Sequence, residues 1–161
     1  GMIAVPAGAG SPYVFFEEFA AAGGGYYTAY AMGPASVVDA VVVAADGRSV
    51  PTQATFRFVH GAGSLEDQEP LDLYLRLPGA GVDFDDDETA PDVTSLTYQT
   101  ASSYFTLQEG DYDIYFADAG TSTIVIGPAT FHLSNGDVTS LVLLDDGNGN
   151  LELMPVMDAA E

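Results

Sequence analysis

Carboxylates are the residues of this chain that could do chemistry, because 24 Asp and Glu stand beside 2 His and 0 Cys. A glycoside hydrolase needs only two of them, flanking a cleft. Their abundance takes away the selectivity of that signal, since no spacing singles out a pair. The densest run, Asp83-Phe84-Asp85-Asp86-Asp87-Glu88, crowds hard oxygen ligands that suit a cation. The same composition makes a solvated loop, and that is the expectation for it. Asp146, Asn148 and Asn150 begin like a calcium loop, but Leu151 stands where such a loop needs Gly and the closing Glu is missing. Gly147 and Gly149 therefore read as the turn of a hairpin. The two imidazoles, His60 and His132, accompany no Gly-x-Ser-x-Gly elbow. His60 shares a strand face with Phe56 and Phe58 and reads as a structural residue holding the Gly61-Ala62-Gly63 turn. His132 alternates against Phe131 and Leu133, which turns it towards solvent. Two histidines on separate strands are too few for zinc, and without Cys there is no thiolate nucleophile. The sequence assigns no catalytic residue, no cofactor-binding residue, no metal ligand and no cofactor, and it reads as non-enzymatic.

The elements that would position these side chains follow a period of two. Leu71, Leu73, Leu75 and Leu77 alternate with Asp72, Tyr74 and Arg76, so the leucines face a core and the others face water. The stretch 54–60 puts Phe56, Phe58 and His60 on one face and Arg57 on the other; pairing of the two strands would set Arg57 near Asp72. Further strands are expected over 96–107, 111–117, 123–133, 138–144 and 151–154, separated by Gly, Asn and Asp turns. No long helix is supported: the best candidate, 16–22, runs into Gly23-Gly24-Gly25. In Leu107-Gln108-Glu109-Gly110-Asp111-Tyr112 a turn precedes a Tyr that opens an alternating strand. That arrangement suits either a tyrosine corner, with the phenol bonded back to upstream backbone, or a core Tyr whose hydroxyl reaches solvent. The predicted fold is all-β, an immunoglobulin-like antiparallel sandwich.

Charge narrows the partners. Three basic residues, Arg48, Arg57 and Arg76, give a net charge of −21 over 161 residues. Nucleic acid is excluded, since its binding needs cations that displace phosphate counterions, and an anionic membrane surface is disfavoured for the same reason. Disorder is excluded too, because 47% of residues are apolar, with 9 Tyr and 9 Phe to fill a core. No apolar run approaches the roughly 20 residues of a membrane span, and no charged segment precedes an apolar one as in a leader. Gly1 has the character of a cloning remnant.

Four blocks in order then carry a resemblance: Arg57-Phe58-Val59-His60-Gly61; Leu71-Asp72-Leu73-Tyr74; Tyr104-Phe105-Thr106-Leu107 with Gly110-Asp111-Tyr112; and Phe131-His132-Leu133 with Gly136 and Thr139. Over residues 52–157 the chain resembles the bacterial family called domain of unknown function 4397. That family's pattern is an R-x-V-H opening, a V-D-V-Y strand, an L-x-x-G-x-Y corner and a late G-x-x-Y-T strand. Val138 replaces the usual aromatic before Thr139, and an acidic loop is inserted between the second and third blocks. The resemblance implies a β-sandwich domain, often in tandem, in exported or surface proteins, and it implies no chemistry.

Within the chain, Gly25-Tyr26-Tyr27-Thr28-Ala29-Tyr30 matches the family's late strand better than Gly136-Asp137-Val138-Thr139 does. Residues 1–47 therefore read as the C-terminal half of a preceding repeat, packed on the 52–158 sandwich or paired in a homodimer, with Asp46 to Pro51 as linker. The resulting expectation is a structural or adhesive module of a secreted or cell-envelope protein, extracellular or periplasmic, whose partners are other repeats or envelope components. The alternative is a carbohydrate-binding module that stacks glycans on Tyr13, Tyr26, Tyr27, Tyr30, Tyr98 and Tyr104, and a carboxylate glycosidase stands third.

Overall fold

The computed structural model describes residues 2–6, 13–32, 39–45, 47–65, 67–86, 89–146 and 150–158. Twelve strands run through them in chain order: β1 Met2–Pro6, β2 Tyr13–Glu18, β3 Tyr27–Met32, β4 Asp39–Ala44, β5 Ala54–His60, β6 Leu71–Arg76, β7 Val93–Leu96, β8 Phe105–Leu107, β9 Gly110–Asp118, β10 Ile124–Leu133, β11 Val138–Asp145 and β12 Leu151–Met157. One short 3-10 turn, Gly63–Leu65, is the sole helical element among the described residues. Two four-stranded sheets, in the orders β12-β11-β5-β8 and β10-β9-β6-β7, pack face to face, and β1-β2 and β3-β4 form separate two-stranded hairpins. The fold is the all-β, immunoglobulin-like sandwich expected from the alternation of apolar residues.

The two inner faces supply the core: Phe56, Phe58, Leu141 and Leu143 from one sheet meet Leu71, Leu73, Ile114 and Phe116 from the other. Phe58 sets its ring edge-on to Phe116 across the gap, with centroids 5.9 Å apart. One pairing departs from the antiparallel expectation. Strands β5 and β11 run parallel, Val138 beside Thr55 through Leu143 beside His60. Parallel neighbours need a long crossover, and here the whole excursion through the second sheet supplies it.

The expected pairing of β5 with β6 does not occur. Residues 61–70 carry the chain across to the other sheet, where β6 pairs with β9 and β7. Arg57 therefore points away from Asp72. The outer face of β6 is not solvated either: Asp72 and Tyr74 are buried, with Val82 and Phe84 of the following loop packed near Tyr74 and Tyr115. Asp72 is held there because it accepts the N–H groups of Ser95, at the irregularity between β6 and β7, and of Gly120, both at 2.9 Å. Leu77, read as a core residue, is exposed. The single strand expected over 96–107 is two strands in different sheets, since the Thr97 to Thr100 turn sends the chain across the sandwich.

The tyrosine corner is present. Tyr112 opens the apolar alternation of β9, and its hydroxyl donates to the Gln108 carbonyl at 3.0 Å. Tyr112→Phe should lower stability by about 1 kcal/mol, the ordinary net value of one such bond. A urea midpoint that falls at unchanged slope would show it; an unchanged midpoint would make the corner ornamental.

The charge has its own consequence for stability. Only two ion pairs involve arginine among the described residues, Arg57 with Asp158 and Arg76 with Asp92. With 24 acidic residues against 3 arginines the chain repels itself, and added salt screens that repulsion over a Debye length of about 10 Å at 0.1 M. The melting temperature should climb by several degrees from low salt to molar sodium chloride; a flat or falling curve counts against net self-repulsion.

Candidate functional site

The most highly connected polar cluster lies on the outer face of the β12-β11-β5-β8 sheet, beneath the β3-β4 hairpin. Alternation along β5 puts Phe56 and Phe58 in the core and turns Arg57 to the other side, where it is nonetheless only 3% exposed. Its Nε donates to Ser140 Oγ at 2.7 Å and its Nη1 to the Ala44 carbonyl at 2.6 Å. Nη2 lies 3.4 Å from both carboxylate oxygens of Asp158. The guanidinium also stacks over the Tyr104 ring, 4.6 Å from its centroid. Asp158 accepts in addition from Thr28 Oγ1 at 2.9 Å, Tyr104 hydroxyl at 2.8 Å and Ser140 Oγ at 2.6 Å. Burial first, and then the bond to Asp158, push the Tyr104 phenol well above its usual range. Tyr30, beside the cluster, is also raised, chiefly by burial.

The hairpin that covers this cluster is held by packing. Tyr30, Met32 and Val41 are 4–9% exposed and rest on Val59 and Val142. Gly61 makes room for them: a Cβ there would stand 2.8 Å from Met32 Sδ. Gly47, in the connection to the sandwich, likewise lies so close to Tyr104 and Val138 that a Cβ would meet both within 2.8 Å. Beside the connection opens a cleft of about 530 Å³ whose lining, among the described residues, includes Arg48, Arg57, Ser102, Ser103 and Tyr104 and no acidic residue. Two of the three cations of the chain therefore share one cleft.

His60 is elsewhere, at the sandwich end under the Gly63–Leu65 turn. It is 1% exposed, its ring meets Tyr98 edge-on at 5.8 Å, and its Nδ1 has no hydrogen-bond partner. Desolvation lowers its pKa to about 4, against a weaker opposing pull from Asp145, so the ring is neutral. The backbone of His60 closes the Thr97–Thr100 turn through bonds with Thr100 and Gln99. Asp145 does not bond to His60; it accepts from both the backbone N–H and the hydroxyl of Ser64, which fixes the 3-10 turn. Ser64, Asp145 and His60 thus form no relay, because the Ser hydroxyl is spent on the carboxylate.

The remaining candidates are scattered. His132 is exposed and lies 2.8 Å from Asp111 Oδ1 on the solvent face of β10. Asp83 caps its own loop by accepting from the N–H of Asp85 at 3.1 Å, while Asp87 and Glu88 lie outside the described residues. No group of three or more His, Asp or Glu among the described residues could hold a metal ion. On the expectation that the 83–88 run is a solvated loop, calorimetric titration with calcium should find no saturable site tighter than ~0.1 mM; a stoichiometric micromolar site lost in Asp85→Ala with Asp87→Ala would overturn this. Asp146 and Asn150 bond to each other across the β11-β12 turn, and Gly147, Asn148 and Gly149 lie outside the described residues.

The tyrosines make no common row: Tyr26 is 53% exposed, Tyr27 accepts the Ala22 N–H, Tyr30 is buried, Tyr98 meets His60 and Tyr104 meets Arg57. The side chain of Tyr13 is outside the description.

Sequence reasoning gave Arg57 the wrong partner and missed Ser140 and Asp158. A single cue was available, that Arg57 is the lone charge in a strand whose other residues are all apolar or weakly polar. Comparison with known families finds that the profile described as a domain of unknown function (DUF4397) matches residues 65–161. The match starts after β5, so it contains Tyr104, Ser140 and Asp158 but neither Arg57 nor His60. No curated protein matches the chain.

Proposed function

This chain belongs to the family described as a domain of unknown function, DUF4397, and on that premise we propose that it is a non-catalytic structural module of an exported or envelope protein. Its role is to hold neighbouring parts of that protein in fixed relation, with residues 1–47 as the end of a preceding repeat. The observation that carries this reading is the Arg57 cluster. The Thr28, Arg57, Tyr104, Ser140 and Asp158 side chains are each bound to another part of the chain, joining residues 28, 44, 57, 104, 140 and 158 into one block, and the adjoining Tyr30 hydroxyl, buried without a partner among the described residues, belongs to a phenol that burial keeps protonated. A site built for turnover keeps a reactive group free to meet substrate, and a site built for holding does not.

Hydrogen exchange on the full chain tests it: amides of 27–44 should be protected nearly as well as those of β5 and β11, so that hairpin and sandwich open together. Fast exchange confined to 27–44 would leave the module without its rigid joint. The cleft beside Tyr104, rich in serine hydroxyls, supports a second reading as a carbohydrate-binding module. A glycan array followed by a saturable titration that Tyr104→Ala abolishes would favour it over the first.

A further inference from the structure

Taking residues 1–47 as the end of a repeat, as proposed above, we infer that the unpaired edge of β3 receives a strand of another sandwich. That strand is of the β5 type and runs parallel to β3, so the β3-β4 hairpin becomes a wall common to two sandwiches. The chain carries its own template for this, because hairpin β3-β4 repeats hairpin β11-β12 in backbone detail. Before the first strand, the Gly25 N–H bonds to the Ala22 carbonyl and the Asp137 N–H to the Ser134 carbonyl, both at 3.2 Å. In those turns Gly24 and Gly136 hold left-handed conformations, with φ of 81° and 85°. After the second strand, the Ala45 N–H closes on the Tyr26 carbonyl and the Asp158 N–H on the Val138 carbonyl, both at 2.8 Å. Tyr27 thus corresponds to Thr139, Thr28 to Ser140, Ala29 to Leu141 and Ala31 to Leu143. The corresponding hydroxyls of Thr28 and Ser140 take the two oxygens of one carboxylate, that of Asp158.

In β11 the edge opposite β12 is filled by β5 in parallel register, the Thr55 N–H on the Asp137 carbonyl at 2.9 Å and the Gly61 N–H on the Leu143 carbonyl at 2.8 Å. In β3 the corresponding edge has no strand beside it among the described residues. Alternation along the hairpin turns the N–H and C=O groups of Tyr27, Ala29 and Ala31 to that edge. The edges of the sandwich are protected: β7 and β8 have only 4 and 3 residues, β10 contains Pro128, and β12 contains Glu152 and Pro155. Strand β3, Tyr-Thr-Ala-Tyr-Ala-Met, has 6 residues and neither charge nor proline. The hairpin's open face agrees with its edge. Ala29 and Ala31 are exposed where Leu141 and Leu143 lie in the core. Strand β4 runs Ala40-Val41-Val42-Val43-Ala44, the unbroken apolar run of a strand covered on both faces. One face rests on the sandwich through Tyr30, Met32 and Val41, and the partner covers the other.

The probe is a synthetic peptide copying residues 52–61, titrated into the isotope-labelled full chain at raised salt and followed by nuclear magnetic resonance. In β5 the N–H groups of Thr55 and Gly61 serve β11, and alternation assigns those of Arg57 and Val59 to the same side, whereas the His60 N–H serves Thr100. Expected is saturable binding with a Kd of about 1 mM or below, with amide shifts centred on Tyr27, Ala29 and Ala31. A nitroxide on the first residue of the peptide should broaden Tyr27 more than Ala31, as parallel pairing requires. Peptide N-methylated at Arg57 and Val59 should lose about tenfold or more in affinity, and peptide N-methylated at Phe56 and Phe58 should keep it. The inference is overturned by a titration without saturable binding, by stronger broadening at Ala31, by equal losses from the two methylated peptides, or by shifts centred on another strand. Concentration-dependent shifts of the β3 amides without peptide also overturn it, because they give that edge to a second copy. Fast exchange confined to 27–44 would defeat the structural reading, whereas a silent titration beside a protected 27–44 defeats this inference alone.

Discussion

Arg57→Ala is expected to lower folding stability by about 3–5 kcal/mol, the cost of leaving a buried carboxylate without its cation. The loss extends beyond the ion pair. Ser140, Ala44 and the Tyr104 ring all lose a partner at the same time, and the hairpin loses the polar link that its Ala44 carbonyl makes to the sandwich. Arg57→Met with Asp158→Leu should recover most of that loss, because apolar groups of similar volume carry no desolvation penalty. Urea midpoints of the two variants measure the contrast. If the single substitution costs under 1 kcal/mol, or the double costs as much as the single, the cluster is not the clasp described here.

Acid should weaken the fold through His60. Its folded pKa of about 4 lies below the ordinary 6.5, so between those values the unfolded chain binds a proton that the folded chain refuses. Stability from this residue is therefore complete above about pH 6.5 and falls as pH drops towards 4, by roughly 3 kcal/mol in all. Protonation of surface carboxylates relieves repulsion in the same range and acts in the opposite direction, so the readout is the difference between wild type and His60→Phe. Phe fills the site without titrating, and since His60 Nδ1 makes no hydrogen bond, that contact is not lost. The gap between the two chains should narrow or reverse in favour of the variant from pH 7 to 4; parallel curves would mean that His60 is protonated without penalty.

The legible parts of this fold are those set by near neighbours in sequence. Alternation placed Leu71, Leu73, Ile114 and Phe116 in the core, and the spacing from Gln108 to Tyr112 contained the tyrosine corner. Interactions between distant segments were not legible. Arg57 and Asp158 are 101 positions apart, and nothing local to either names the other. Asp72 looked solvated because a polar residue in an alternating strand usually is, and only the irregularity at Ser95 and the turn at Gly120 reveal what it serves. His60 was expected to hold the Gly61-Ala62-Gly63 turn, whereas its backbone bonds serve the Thr97–Thr100 turn, and its neutral state depends on a burial that the sequence does not measure.

The parallel register of β5 and β11 sets the path of the chain through the sandwich. Thr55 lies beside Val138, and Thr139 lies beside Met157 on the next strand, so the point of entry at Ala54 and the point of exit at Asp158 are about two strand spacings apart, roughly 10 Å. Copies joined in series would add little contour length, each sandwich hanging from the line as a pendant. Tension along that line would cross only the entry and exit strands, and it would meet the Arg57–Asp158 contact before it reached the body of the domain.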